Sequence, residues 1–166
     1  MSICQYIIVR KDILKIDKEE FESLSSENKN KYLIELENVG KMGKGKLSAQ
    51  VAHASLAPIL MLMRDNIHYI DYKAPQNDYK LVLDMNKNSD IALWLESSFT
   101  KVVLYVKSEE ALINIHKKLK ENNIISELIF DEGRTAFKKP IYTCLGIEPL
   151  SKEKLKPFLK KLRLLD

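Results

Sequence analysis

The stretch MGKGKLSAQVAHA, residues 42–54, constrains this chain more than any other, because a glycine-punctuated lysine pair runs directly into an amphipathic segment. Gly43 and Gly45 lack a Cβ, so the backbone there is free to take φ > 0 and approach a ligand closely, and a helix is expected from Lys46. Lys44 and Lys46 then stand at a helix N-terminus. Its free N–H groups and dipole favour an anion such as phosphate or a developing oxyanion. Taken alone, GKGK reads as a turn with solvated lysines, since motifs this short match by chance. The residues after it shift that reading. On a 3.6-residue period Lys46, Gln50 and His53 form a polar stripe, while Leu47, Val51 and Ala54 line another face. One face suits packing and the other chemistry.

Size and charge bound the rest. At 166 residues the chain suits one domain, residues 1–166, able to bury a core without covalent staples. A net charge of +4 favours anionic partners without by itself indicating nucleic acid. The two cysteines, Cys4 and Cys144, each sit in an apolar run and read as buried thiols of a reducing compartment, since they make neither a disulfide framework nor a zinc site. No signal-peptide pattern opens the chain, and its longest apolar run, residues 56–63, is too short for a membrane span. The expectation is a cytoplasmic protein with no membrane association.

In chain order, residues 3–9 read as a central strand covered on both faces. Residues 13–40 are charged, yet Asp17 with Glu20 fits a capping box, and Tyr32, Leu33, Leu36 and Val39 recur at helical spacing before Gly40. Pro58 is expected to kink the helix that begins at Lys46, or to break it so that it restarts. Residues 66–88 show no single period; His68, Tyr69, Tyr72 and Tyr79 beside Lys73 and Lys80 suit either base stacking or, more simply, a surface insertion. Ser89 caps a short helix through Trp94. Residues 101–107 read as a strand, Ser108 caps a helix with His116 turned to solvent, and residues 124–130 form a strand parallel to the previous one. Residues 141–147 read as the last strand, after which Ser151 caps a basic helix.

Asp131 stands at the carboxyl end of its strand, where open α/β sheets place ligands. It begins DEGRT, residues 131–135, in which Gly133 lets the turn close, Arg134 can fork onto a phosphate, and Asp131 and Thr135 can face one pocket. Alone, this run reads more readily as a structural turn, with Asp131 accepting backbone N–H bonds and Arg134 solvated. Thr143 is a hydroxyl among apolar neighbours in IYTCLGI.

The order YIIVRKD, KMGKGKLSAQVAHA, KVVLYVK, DEGRT, TCLGIEP and KLRLL resembles the type II peptidyl-tRNA hydrolases of archaea and eukaryotes. That resemblance implies cleavage of the ester between a peptide and the 3′ ribose of tRNA, without a metal or organic cofactor. It implies functional roles for Lys46, Asp131, Thr135 and Thr143. Around them Gly43, Lys44, Gly45, Gln50, His53, Gly133 and Arg134 are expected to bind substrate, with the basic groups meeting phosphates of the acceptor stem near its 3′ end. His53, about 10 Å along the helix from Lys46, belongs at the pocket's edge. The family often forms homodimers, which the sequence itself does not show.

Ester hydrolysis needs a positioned water, a proton acceptor and donors aimed at the oxyanion. Asp131 suits the first two tasks and Lys46 the last, with the threonines placing substrate; an alternative makes Thr135 the nucleophile. Departures from the family pattern occur at Glu132, Ala136, Lys139, Pro140 and Glu148, and residues 13–40 and 66–88 look like insertions. They leave a second reading open, a catalytically weakened tRNA-binding or protein-interaction module. The expected architecture is a three-layer α/β sandwich, with a mixed, mostly parallel sheet of about four strands and helices on both faces.

Overall fold

The computed structural model describes residues 2–64, 67–69, 79–81, 83–97 and 99–165. Its centre is β1 (Ile3–Arg10), whose last seven residues are all buried. A turn of 3-10 helix (Lys11–Ile13) leads to α1 (Lys18–Ser23) and α2 (Ser26–Asn38), then to the long α3 (Lys44–Arg64). β2 (Ile67–Tyr69) and β3 (Tyr79–Leu81) pair antiparallel as a separate ribbon. Beyond them come α4 (Asp90–Glu96), β4 (Lys101–Val106), α5 (Glu109–Glu121), β5 (Ser126–Asp131), β6 (Ile141–Ile147), β7 (Leu150–Ser151), α6 (Lys152–Leu159) and β8 (Arg163–Leu164).

The main sheet has six strands in the order β5-β6-β1-β4-β8, with β7 beside β1 at the far end of β6. It is mixed, as expected, but neither four-stranded nor mostly parallel. Only β1 and β4 are parallel neighbours; β6, β7 and β8 all pair antiparallel. The strands after 147 are two residues each, too short to leave a periodic signal, so β6 is not the last strand. β5 runs in the same direction as β4, as the strand, helix, strand reading required, but with β6 and β1 between them.

Two cores flank the sheet. α5 and α6 cover one face through Leu112, Leu119, Leu155 and Leu159 against Ile8, Leu104, Leu145 and Ile147. On the other face Ala54, Leu47 and Val51 of α3 meet Ile7, Val9, Ile141 and Cys144. Burial pushes the Cys144 thiol up to about 12, so it is an inert packing group. Among the described residues no helix is long and apolar enough to cross a membrane.

Several local expectations hold. The Asp17 side chain accepts the Glu20 N–H, and Ser89 and Ser108 accept from Ala92 and Ala111. Others are corrected. The Gly43 carbonyl accepts from Leu47 N at 2.9 Å, so α3 starts at Lys44 rather than Lys46. Positive φ is found at Gly40 and Gly133, not at Gly43 or Gly45. Of the two outcomes expected at Pro58, the break does not occur, since α3 runs through it as one helix. His116 is not solvated: it is half-buried, its Nδ1 lies 2.9 Å from the Ser126 hydroxyl, and burial lowers its pKa, with Lys120 adding to the effect against Glu127. Ser151 holds the N-cap position of α6 without a side-chain cap. Of the proposed stacking groups, Tyr72 and Lys73 and the side chains of His68, Tyr69, Tyr79 and Lys80 lie outside the described residues.

Helix and sheet approach closely at Gly146, where a Cβ would lie 1.8 Å from the Ala54 carbonyl oxygen and 3.1 Å from Pro58 Cδ. Pro58 has no N–H to give that carbonyl, so the helix presents a bare main-chain oxygen to β6, and only glycine leaves room for it. Gly146→Ala must therefore lift α3 from the sheet. We expect a loss of about 3 kcal/mol, read as a lower urea midpoint at unchanged m-value.

Candidate active site

The first turn of α3 and the end of β5 meet in a cleft of about 230 Å³ lined by Lys46, Asp131, Glu132, Arg134 and Thr135. Lys46 Nζ lies 2.5 Å from Asp131 Oδ2 and makes a longer, 3.4 Å contact to Thr135 Oγ1. One turn further along α3, buried Gln50 donates from Nε2 to the same Asp131 oxygen at 3.0 Å. Asp131 Oδ1 accepts from Gly133 N at 2.9 Å, closing the turn. Both carboxylate oxygens are thus partnered, by three donors in all, with Oδ1 accepting one of them.

Since a carboxylate only accepts, it fixes the Gln50 amide with nitrogen toward Asp131 and oxygen toward β6. That oxygen accepts the Thr143 hydroxyl at 2.6 Å. A continuous polar chain therefore runs Thr143, Gln50, Asp131, Lys46, Thr135. A β-bulge brings Thr143 into it: Ile129 pairs with Cys144 but Phe130 pairs with Tyr142, so Thr143 is the extra residue, turned toward α3. Thr143 is wholly buried, and its hydroxyl also lies 3.2 Å from the Ile129 carbonyl. Its link to the cleft runs through Gln50.

Burial, the largest influence on Asp131, raises its pKa. The Lys46 hydrogen bond, the Gly133 N–H, the Lys46 charge and His53 outweigh it and hold the carboxyl below its ordinary 3.8. It is a carboxylate at neutral pH.

The remaining sequence candidates frame this centre. Gly43, Lys44 and Gly45 form the start of α3; Lys44 and Gly45 are exposed, and a Cβ at Gly45 would meet nothing within 4 Å. His53 is exposed at the rim. Gly133 takes φ +79 with the Lys139 backbone 2.6 Å from where a Cβ would stand, so the loop from Glu132 folds back on itself there. Arg134 is exposed and pairs with Glu132. Ala136 packs inward, its carbonyl against Gly40, which ties this loop to the end of α2. Glu148 lies at the other end of the hairpin, accepting Ile125 N at 2.8 Å. Among the described residues no cluster of three or more His, Cys, Asp or Glu is placed to hold a metal ion.

Two supporting groups were not singled out by the sequence. Arg10, 7% exposed at the end of β1, donates from Nη1 to Glu109 and to the Tyr142 carbonyl, each at 2.9 Å, and pairs with Asp12. Glu109 accepts Tyr142 N at 3.2 Å. Lys41, also buried, pairs with Glu35 of α2 and the Asp12 carbonyl. A charged residue closing an apolar strand, as Arg10 does, is the one hint the sequence offered.

Thr143→Val keeps the volume but leaves the buried Gln50 oxygen without its donor. We expect a loss of about 1–3 kcal/mol in denaturant unfolding, with activity falling as Gln50 loses its fixed orientation.

The family model described as Peptidyl-tRNA hydrolase PTH2 matches residues 3–165. A peptidyl-tRNA hydrolase of Methanococcus maripaludis is 33% identical over 132 residues, covering 80% of this chain and 96% of that protein. One from Nanoarchaeum equitans is 33% identical over 123 residues, covering 74% and 89%, and one from Saccharolobus islandicus 30% identical over 125 residues, covering 75% and 90%. The family match takes in every strand of the main sheet and the whole polar cleft, and the chain belongs to the peptidyl-tRNA hydrolase PTH2 family.

Proposed function

We propose that the chain hydrolyses the ester joining a peptide to the 3′ ribose of tRNA, in the cytoplasm, and so recycles tRNA from stalled or aborted translation. The observation that carries this reading is the Lys46, Asp131 and Thr135 constellation at an open helix start. A cationic donor, a fixed carboxylate and a hydroxyl line one cleft. Lys46 stabilises the oxyanion or the departing ribose oxygen, and Asp131 orients the attacking water and takes its proton.

The two roles are linked. While Lys46 rests on Asp131 it keeps the carboxylate a weak base. Once the ammonium turns to a developing oxyanion, burial is left as the main influence and Asp131 becomes more basic as proton transfer requires it. Thr135 as nucleophile is less well served. Its contact within the cleft is the Lys46 ammonium, a donor that cannot take its proton.

The substrate's acceptor stem and 3′ end lie, in this reading, across exposed Lys44, Arg134, Lys138 and Lys139. The two segments 13–40 and 66–88 are insertions in a single domain. Exposed Leu33 and Ile34 on α2 and Leu56 on α3 offer apolar surface for a homodimer. The weakened-module alternative leaned partly on the charge of Glu132, which Arg134 offsets.

Release of N-acetyl-aminoacyl groups from tRNA, with free aminoacyl-tRNA as the comparison, tests the activity. Lys46→Ala and Asp131→Asn should each lower kcat/KM about 100-fold or more while the fold persists by circular dichroism. The pH profile separates the linked roles. In the wild type the acid limb set by Asp131 lies below its ordinary 3.8, because the folded value is depressed. Its stabilising pairing is likewise intact above that value and lost as pH falls through the lower one. Residual activity of Lys46→Ala should show this limb moved to higher pH; an unmoved limb would break the proposed link.

Binding of tRNA should weaken as salt rises. If the four basic groups each meet a phosphate, log Kd changes with log salt by a slope of about 3 in magnitude, and Lys138→Ala with Lys139→Ala lowers it by roughly 1.5.

A further inference from the structure

β5 is the outermost strand of the main sheet on the side of the cleft, paired only with β6 among the described residues. The direction of its main-chain groups is fixed by their partners. Ile125 donates its N–H to Glu148 Oε1 and accepts Glu148 N at its carbonyl, and the Ile129 carbonyl accepts the Thr143 hydroxyl; both residues therefore face β6. Strand residues alternate, so the N–H and C=O groups of Ser126, Leu128 and Phe130 point away from β6, along the free edge. No described strand or loop pairs with them.

This edge lacks several of the devices that blunt one, although it carries Glu127 and its pairing with β6 is bulged. SELIFD carries no lysine or proline, and it spans six residues, whereas the opposite edge strand β8 has two and carries Arg163. Its end is apolar: the Phe130 ring is 54% exposed, resting edge-on against Tyr142 with centroids 5.5 Å apart. The residue after Phe130 is Asp131, and the edge therefore ends at the cleft.

We infer that the peptide part of the substrate adds to β5 as an outer strand, parallel to it, with its esterified carboxyl end at Asp131 and its chain running back toward Ser126. The main-chain groups of Phe130, Leu128 and Ser126 take successive peptide groups, and the Phe130 ring covers a side chain on the α5 face. Such pairing reads the peptide backbone and ignores its sequence, as a hydrolase for unfinished chains requires, and it gives a substrate with peptide groups an advantage over one with a single amino acid. This rests on the hydrolase reading above.

The test is a series of tRNA esters sharing one terminal residue: N-acetyl-aminoacyl, dipeptidyl, tetrapeptidyl and hexapeptidyl. We expect kcat/KM to rise about tenfold or more from the first to the tetrapeptide and then level off as the strand is filled. Single N-methylation along the hexapeptide gives the signature. Because alternate N–H groups of the peptide face β5, methylation at one parity should abolish the gain and at the other leave it, and Phe130→Ala should reduce it. A length-independent rate, or equal losses at both parities, overturns the strand. So does sedimentation showing a dimer whose formation Phe130→Ala abolishes while the length series stays flat, since the edge would then hold a second copy. Absence of release from every ester, N-acetyl-aminoacyl included, would sink the hydrolase reading and this one together.

Discussion

The structure depends on one contact, the seating of the Ala54 carbonyl on Gly146. It lets α3 lie closer to the sheet than side chains on both elements would permit. Next to it, Gln5 of β1 and Ser55 of α3 exchange hydrogen bonds of 2.7 and 2.8 Å, so the helix is held to two adjacent strands at one level. From that anchor α3 climbs four residues to Gln50, about 6 Å, and eight to Lys46, about 12 Å, while β6 runs three residues back to Thr143, about 10 Å. Side chains on a helix lean toward its N-terminus, and the long Gln50 and Lys46 side chains bridge the difference, Gln50 reaching Thr143 and Lys46 reaching Asp131 on the neighbouring strand.

A regular ladder would have spoiled this arrangement. Without the bulge, Thr143 and Cys144 would face opposite sides of the sheet, and either the hydroxyl or the packing group would leave the α3 side. The bulge has a cost, because the β1 and β6 ladder ends at Val9 and Cys144 and the main-chain groups of Tyr142 lose their strand partner. Arg10 and Glu109 supply the replacement, one bonding the carbonyl and the other the N–H. Their own ion pair at 2.9 Å keeps the buried guanidinium compensated. This charged brace on one face of the sheet holds the geometry of a polar chain on the other.

The sequence was most legible where local chemistry is decisive. Lys46, Gln50 and Asp131 could be singled out because helical spacing and strand ends put functional groups in known directions, and Asp17, Ser89 and Ser108 because a cap is a local hydrogen bond. It was least legible where the outcome depends on a partner distant in sequence. Pro58 looks like a helix break until Gly146 is seen to use the carbonyl it bares. His116 looks solvated until Ser126 is placed beside it. Thr143 could be named but not placed, since the bulge that turns it toward Gln50 is a feature of two paired strands. The sheet's antiparallel majority was hidden for the same reason: β7 and β8 are strands only because β1 and β4 already stand beside them.

The cleft itself shows why opposing influences on one carboxylate are useful. Burial alone would make Asp131 a better base but would leave its charge uncompensated at rest, at a cost. Lys46 removes that cost by direct contact, yet it is not locked in: its side chain is 27% exposed against 8% for Asp131, and its other contact in the cleft is long. In the proposed mechanism the group that quiets the base is therefore the group free to leave it. There, an oxyanion that draws the ammonium away gains a donor and at the same time unmasks the acceptor that attack requires. Interactions that strengthen only as charge develops are those that lower a barrier rather than merely hold a substrate.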